Sequence, residues 1–412
     1  MPRAAQPAQQ KWHYCADNMR FKGALPPSRL PHAGTTIFAE MSALAAAHGA
    51  VNAGQGFPDF DPPAALQARV TEAMQQGWNQ YAPMAGDPTL REWLATDVYR
   101  RTGVALDPGE EVTVGAGASS LLFAATLALC RPGDEVILID PAYDLYAPAV
   151  ALAGATAVRI PAASPDFALP CEALAAHLTP RTRLLFLNSP HNPTGRVVTA
   201  AELARLADLL APTDVILLSD EVYGPIVFDG RLALSAFNER RLAERTLAAV
   251  SLGKLLHCTG WKIGALLGPS DLMAEVRKVH QFDVFSTGAP FQRAMAAYLN
   301  SDDGQVHLAG LADLHAAGRD RLLSGLEGTP WAFHPAEGGF FQLLDASAFA
   351  AGSDAALCRT WTVRHGLATI PLSSFLAAPD AAAPVMIRVC FAKRPETLDA
   401  IAARLRAIPL AP

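Results

Sequence analysis

Four short segments of this chain come in a distinctive order. Asn188-Ser-Pro-His-Asn-Pro-Thr-Gly195 follows Leu184–Leu187, and Ser219-Asp220-Glu221-Val222-Tyr223 follows Val215–Leu218. Ser251-Leu-Gly-Lys254 comes next, then Thr259-Gly-Trp-Lys262-Ile-Gly264. Each has a plain reading. Asn-Pro-Thr-Gly makes a good turn, an Asp after a strand caps a helix, and a Lys in a glycine-containing loop is usually solvated. Together they could do more. An ordinary lysine is charged at neutral pH and does not attack carbonyls. Burial beside a second cation lowers its pKa and makes the amine a nucleophile. Lys254 and Lys262 share one such loop. Asn192 precedes Pro193, which pushes it out of the helical region.

The elements that must hold these residues alternate. Val136–Ile139, Leu184–Leu187 and Val215–Leu218 are too short for helices and apolar on both faces, as strands of a covered parallel sheet are. Between the last two lies a helical pattern, Thr199–Leu210, with Leu203, Leu206, Ala207 and Leu210 on one face. Thr199 and Glu202 form a capping-box signature. Strand, helix and strand make a right-handed βαβ unit, and ligands sit beyond the carboxyl ends of such strands. Asp220 is predicted at one of those ends. Leu66–Gly77 reads as a helix stopped by glycine, and Gly115–Leu129 as a helix entered through small residues. After about residue 300 the texture changes. The helical pattern Leu308–Leu326 precedes short strands near Phe340–Leu344 and Met386–Cys390, predicting a smaller α+β domain.

The 412 residues, 51% hydrophobic and 17% charged, exclude a disordered or collagen-like chain and allow a large core. A net charge of −6 argues against nucleic acid as a partner. The six cysteines, Cys15, Cys130, Cys171, Cys258, Cys358 and Cys390, form no CxxC pair and read as reduced thiols of a cytoplasmic protein. His13, His32, His48 and His191 have no metal-ligand spacing, so no metal is expected. Residues 1–20 have no apolar core of a secretory signal, and no run is long enough to span a membrane.

The ordered set NPTG, Asp-x-x-Tyr, Ser-x-x-Lys and Gly-x-Lys resembles the class I/II aminotransferases, pyridoxal-phosphate enzymes of fold type I. The resemblance runs from about Leu25 to the end. The segments GTTIFAEMSALAAAHGAVNAGQGFPDFDPP, NQYAPMAG, DPAYDLYAP, IPLSSF and IRVCFAK are most similar to bacterial methionine aminotransferases and the kynurenine–glutamine group. Leu256 stands where close relatives usually have an aromatic residue, and the serines of GAGASS where they often have Thr-Glu.

The resemblance implies an α/β fold. A large domain (61–304) has a mainly parallel seven-stranded sheet flanked by helices. A smaller α+β domain (25–60 and 305–412) includes an N-terminal arm, and 1–24 is a tail. It implies pyridoxal 5'-phosphate as cofactor, with Lys254 as the Schiff-base lysine and later the proton carrier. Asp220 would hold the proton on the pyridine nitrogen. Asn192 and Tyr223 would hydrogen-bond the ring's phenolic oxygen, and Tyr143 would stack on the ring. Gly117, Ala118 and Ser119, at a helix start, would bind the phosphate with Ser251 and Lys262. Tyr81 would reach that phosphate from the partner subunit of a homodimer, giving a shared active site. Arg388 would take the amino-acid carboxylate, because its planar fork fits two oxygens. Gly56 and Asn192 would complete that clamp, and Phe38 and Tyr81 would border the side-chain pocket.

The implied reaction moves an amino group from a large neutral amino acid to a 2-oxo acid by ping-pong chemistry. Methionine comes first among donors, then aromatic amino acids, kynurenine or glutamine. The same lysine and aspartate would serve a C–S β-lyase acting on cysteine conjugates or cystathionine, which is the alternative. A pyridoxal-phosphate-binding regulator fits poorly, since the first 25 residues are too few for a DNA-binding module.

Overall fold

A computed structural model describes residues 23–31, 33–162, 166–349, 352–377 and 385–411. Nearly all of the expected tail, 1–24, lies outside them, as do Cys15, His13 and His32.

The strands in chain order are β1 (Val51–Asn52), β2 (Val112–Gly115), β3 (Glu135–Asp140), β4 (Thr156–Pro161), β5 (Thr182–Asn188) and β6 (Ile216–Asp220). They continue with β7 (Thr246–Ser251), β8 (Gly264–Leu267), β9 (Phe341–Asp345), β10 (Leu367–Ala368), β11 (Ile370–Pro371) and β12 (Met386–Cys390). Seven form one sheet in the order β2-β8-β7-β6-β5-β3-β4. The pairs β3–β4, β3–β5, β5–β6 and β6–β7 are parallel, and β8 runs antiparallel to both neighbours.

Alternation along the central strands explains why both faces had to be apolar. Val136, Leu138, Leu184, Phe186 and Leu218 enter a core with the helices Gly117–Leu129 and Ser270–Asp283. Ile137, Leu185, Leu187 and Leu217 enter the opposite core, against the helix Ala200–Leu210. The capping box at that helix forms as expected: Thr199 Oγ1 accepts from Glu202 N at 3.2 Å, and Glu202 Oε2 accepts from Thr199 N at 2.9 Å. The pattern at Leu66–Gly77 is the helix Ala64–Gln75, followed by Gly77 at φ +92.

Past residue 300 the helix Asp302–Ser324 begins six positions before the first residue of the expected pattern, because Ser301 caps it ahead of any apolar periodicity. The strand β12 matches the expected Met386–Cys390 and pairs with β9 and β11 in a three-stranded antiparallel sheet. The N-terminal segment joins this region. Val51 and Asn52 pair in parallel with Leu367 and Ala368, and the helix Ile37–His48 packs on Asp354–His365. Ala53 O accepts from Cys390 N at 2.7 Å, so the segment after β1 lies along β12.

Candidate active site

The carboxyl ends of the parallel strands converge on one cleft. β5 ends in Asn188, β6 in Asp220 and β7 in Ser251. Asn188 ties them together: its Nδ2 donates to Asp220 O at 2.8 Å, and its Oδ1 accepts from Asn192 N at 2.8 Å. The second bond folds the NPTG turn back over the sheet end. The cleft is a cavity of about 280 Å³. Phe38, Gly56, Gly117, Ala118, Ser119, Tyr143, Asn192, Asp220, Tyr223, Ser251, Lys254, Lys262 and Arg388 all line it. Tyr81 does not; it is 86% exposed on the outer surface.

At the floor, Asp220 is buried, and loss of solvent raises its carboxyl from an ordinary 3.8 to about 6. Tyr146 OH donates to Asp220 Oδ2 at 2.6 Å and opposes that rise, as does the N–H of Val222 at 3.3 Å from Oδ1. Tyr146 is itself stacked on Phe186, with ring centroids 4.5 Å apart. Sequence reasoning missed Tyr146. Its signal was the second tyrosine of DPAYDLY, one helical turn after Tyr143.

Lys254 sits in the short helix Leu252–Leu255, capped by Ser251, whose Oγ accepts from Lys254 N at 3.3 Å. Burial first, then the positive charges of Arg388 and Lys262, push the Lys254 amine down to about 8, while Cys390 and Asp220 oppose this. Its Nζ donates to Gly56 O and lies 5.4 Å from the ring centroids of Tyr223 and Phe340. Leu256, at the position that departs from close relatives, is fully buried in the core.

At one end of the cleft the helix Gly117–Leu129 begins without a side-chain cap, leaving its first N–H groups free to bind an anion. Gly117 has φ +79, and a Cβ there would stand 3.3 Å from Lys262 Nζ. Neither Lys254 nor Lys262 forms an ion pair among the described residues. Amide donors and an uncommitted ammonium thus meet where a phosphate would fit.

At the other end Arg388 is fully buried, and that burial lowers its guanidinium to about 10. Nη1 donates to Asn192 Oδ1 and Nη2 to Gly54 O, each at 2.6 Å. The guanidinium lies 3.8 Å from the centroid of Phe341 and 5.1 Å from those of Phe38 and Phe375. Its Nε is buried with no partner, and the N–H of Gly56 has none among the described residues. A buried donor left unsatisfied, as Arg388 Nε is, awaits an acceptor. Gln55 and Phe341 also line the cleft and were not anticipated.

The family described as "Aminotransferase class I and II" matches residues 49–405. The chain belongs to that family. It is 44% identical to the methionine aminotransferase of Escherichia coli (strain K12), over 93% of this chain and 98% of that one. It is 34% identical to kynurenine–oxoglutarate transaminase 1 of Rattus norvegicus, over 93% and 97%. A solved Escherichia coli structure, described as having a methionine aminotransferase function, superposes with a TM-score of 0.90 at 44% identity, covering 93% of this chain and all of that one. The N-succinyldiaminopimelate aminotransferase structure of Mycobacterium tuberculosis gives 0.89 at 41% identity, covering 93% and 100%. The fold is that of the fold type I pyridoxal-phosphate transferases, and the chain is a pyridoxal-phosphate-dependent aminotransferase. The cleft fits this coenzyme. It offers a buried carboxylate at its floor, a depressed lysine beside it, and an uncapped helix start with a free ammonium at one end.

Proposed function

We propose that the enzyme takes the amino group from large neutral amino acids, methionine first, and passes it to a 2-oxo acid. The observation that carries this reading is the set of cations in the cleft. Its lining lysines and arginine are Lys254, Lys262 and Arg388, and each has a place in the common chemistry. Among the described residues of one protomer, none remains to pair with a second acidic group on the substrate. Around Arg388 the walls are Phe38, Phe341 and Tyr143. The names of the Escherichia coli and Rattus norvegicus relatives point the same way, whereas that of the Mycobacterium tuberculosis relative names a substrate with further carboxylates.

When bound, pyridoxal phosphate supplies an aldehyde that links to amines and a ring that takes up the electron pair left by Cα–H cleavage. In this reading Asp220 keeps the ring nitrogen protonated, and Asn192 and Tyr223 bond the phenolic oxygen. Tyr143 covers one face, while Gly117, Ala118, Ser119, Ser251 and Lys262 hold the phosphate. Arg388 Nε and Gly56 N–H receive the carboxylate. Lys254 Nζ, already poised near neutral pKa, takes the proton from the amino acid's Cα.

The working form is a homodimer in which Tyr81 reaches the partner's phosphate site. Its exposure, and that of Phe285 against which its ring lies edge to face, supports this. Residues 25–60 and 305–412 act as one unit against 61–304, supported by the pairing of β1 with β10. The buried, unpaired state of Cys130, Cys171, Cys258, Cys358 and Cys390 supports a reducing, cytoplasmic setting.

The test is a half-reaction panel on the coenzyme-loaded enzyme. Methionine, aromatic amino acids, kynurenine and glutamine are expected to remove the visible absorbance of the bound coenzyme, and a 2-oxo acid to restore it. Response only to aspartate, glutamate or N-succinyldiaminopimelate would overturn the substrate reading. Release of pyruvate and ammonia from cysteine conjugates as the main reaction would do the same.

A further inference from the structure

The strap Gly54–Asp59 carries the Gly56 N–H, and basic side chains hold three of its main-chain carbonyls. Arg388 Nη2 donates to Gly54 O, Lys254 Nζ to Gly56 O, and Lys393 Nζ to Phe57 O at 2.9 Å. One of these holds would be interrupted by the proposed reaction, and a second side chain would take on a further partner. Lys254 Nζ would leave Gly56 O when its nitrogen is covalently engaged, and Arg388 would receive the carboxylate at Nε besides holding Gly54 O. Lys393 has no such duty. It does not line the cleft and is only 7% exposed. It forms no ion pair among the described residues. A buried ammonium without a carboxylate is expensive to keep, and here the strap takes its place. The same Nζ lies 4.9 Å from the centroid of the Phe57 ring, a second hold on the residue next to Gly56. The neighbouring Arg394 N donates to Asp59 Oδ1 at 2.6 Å and fixes the strap's far end.

We infer that Lys393 is a positioning residue for substrate binding: the constant anchor that keeps the Gly56 N–H beside Arg388 while the Lys254 hold is made and broken. Without it, the Gly56–Phe57 peptide is free to turn whenever Lys254 is engaged, and the carboxylate loses a preorganised donor. The inference rests on reading Arg388 and Gly56 as the carboxylate site.

The experiment uses the coenzyme-loaded enzyme with Lys393→Met, Lys393→Arg and Arg388→Lys. Readouts are KM and kcat for methionine, and inhibition by 3-phenylpropanoate against the uncharged 3-phenylpropan-1-ol. Lys393→Met is expected to raise KM and the 3-phenylpropanoate inhibition constant about tenfold, the size of one lost charged hydrogen bond, with a smaller change in kcat. Coenzyme affinity and inhibition by the alcohol should hold, and Lys393→Arg should recover most of the loss. Lys393→Gln, which keeps a donor, gives the same direction with a smaller effect and serves if the Met variant does not fold. Unchanged constants in Lys393→Met, while Arg388→Lys weakens both, would remove Lys393 from this role and leave the carboxylate site standing. A joint fall in kcat, coenzyme affinity and thermal stability that Arg does not rescue would make Lys393 merely structural. If Arg388→Lys changes neither constant, the carboxylate site lies elsewhere and the inference falls with it.

Discussion

Burial in one cleft moves the Asp220 and Lys254 pKa values in opposite directions, and the Asp220 shift can be read in the coenzyme-free protein. Burial raises the Asp220 carboxyl from 3.8 to about 6, so between those values the folded chain binds a proton that the unfolded chain has released. Stability therefore falls as pH rises through that window. Chemical denaturation of wild type against Asp220→Asn, both coenzyme-free, should show the wild type losing on the order of 2 kcal/mol relative to the variant between pH 4 and 6. Parallel curves would mean that Asp220 is not desolvated as described. The Tyr146 hydroxyl restrains this rise. Tyr146→Phe should raise the Asp220 pKa further and slow turnover by roughly tenfold, as loss of a hydrogen bond to a charged group does. A pH–rate profile identical to wild type would contradict that.

Lys254, Asp220 and Asn192 were legible because each lies at or just beyond the end of an apolar strand, in a motif read over a few residues. Tyr146 and Lys393 were not. Their partners lie 74 and 336 positions away, and only the fold brings them together.

The elements show why certain small residues stand where they do. β8 must pass close behind the start of the helix Gly117–Leu129. A Cβ on Gly264 would stand 2.5 Å from Ala118 N and 2.8 Å from Gly117 C and from Val250 O. All three are backbone atoms that cannot swing aside. Gly264→Ala should therefore displace the helix start and sharply weaken coenzyme binding, measured by titration of the coenzyme-free chain. Unchanged affinity would show that this helix start does not hold the phosphate. Thr199→Ala, by contrast, removes only a cap on a distant helix. It should cost about 1 kcal/mol in denaturation with turnover retained. The central strands and this capped helix could be read directly, since a strand covered on both faces is apolar throughout. The three-stranded sheet was only half legible: β11 is two residues long and pairs with β12 through contacts far apart in sequence.

At the scale of the molecule, an exposed aromatic group lies outside the cleft. Tyr81 and Phe285 meet edge to face at 5.7 Å, and Phe282, in the same chain segment as Phe285, is 85% exposed. Soluble proteins seldom leave such groups uncovered, and a second copy of the chain is the occupant proposed here. Phe282→Asp should shift the enzyme towards monomer in ultracentrifugation and weaken coenzyme binding with it, since Tyr81 would then be lost from the neighbouring site. A monomer with full coenzyme affinity would contradict the shared site. The sequence indicated Tyr81 only through resemblance. Nothing in the spacing of NQYAPMAG says which protomer its ring serves.

The whole account turns on which nitrogen carries the coenzyme. Borohydride reduction of the loaded enzyme, followed by proteolysis and peptide mass spectrometry, should find the pyridoxyl-phosphate adduct on Lys254 and on no other residue. An adduct on Lys262 or another lysine, or a chain that takes up no coenzyme, would contradict it.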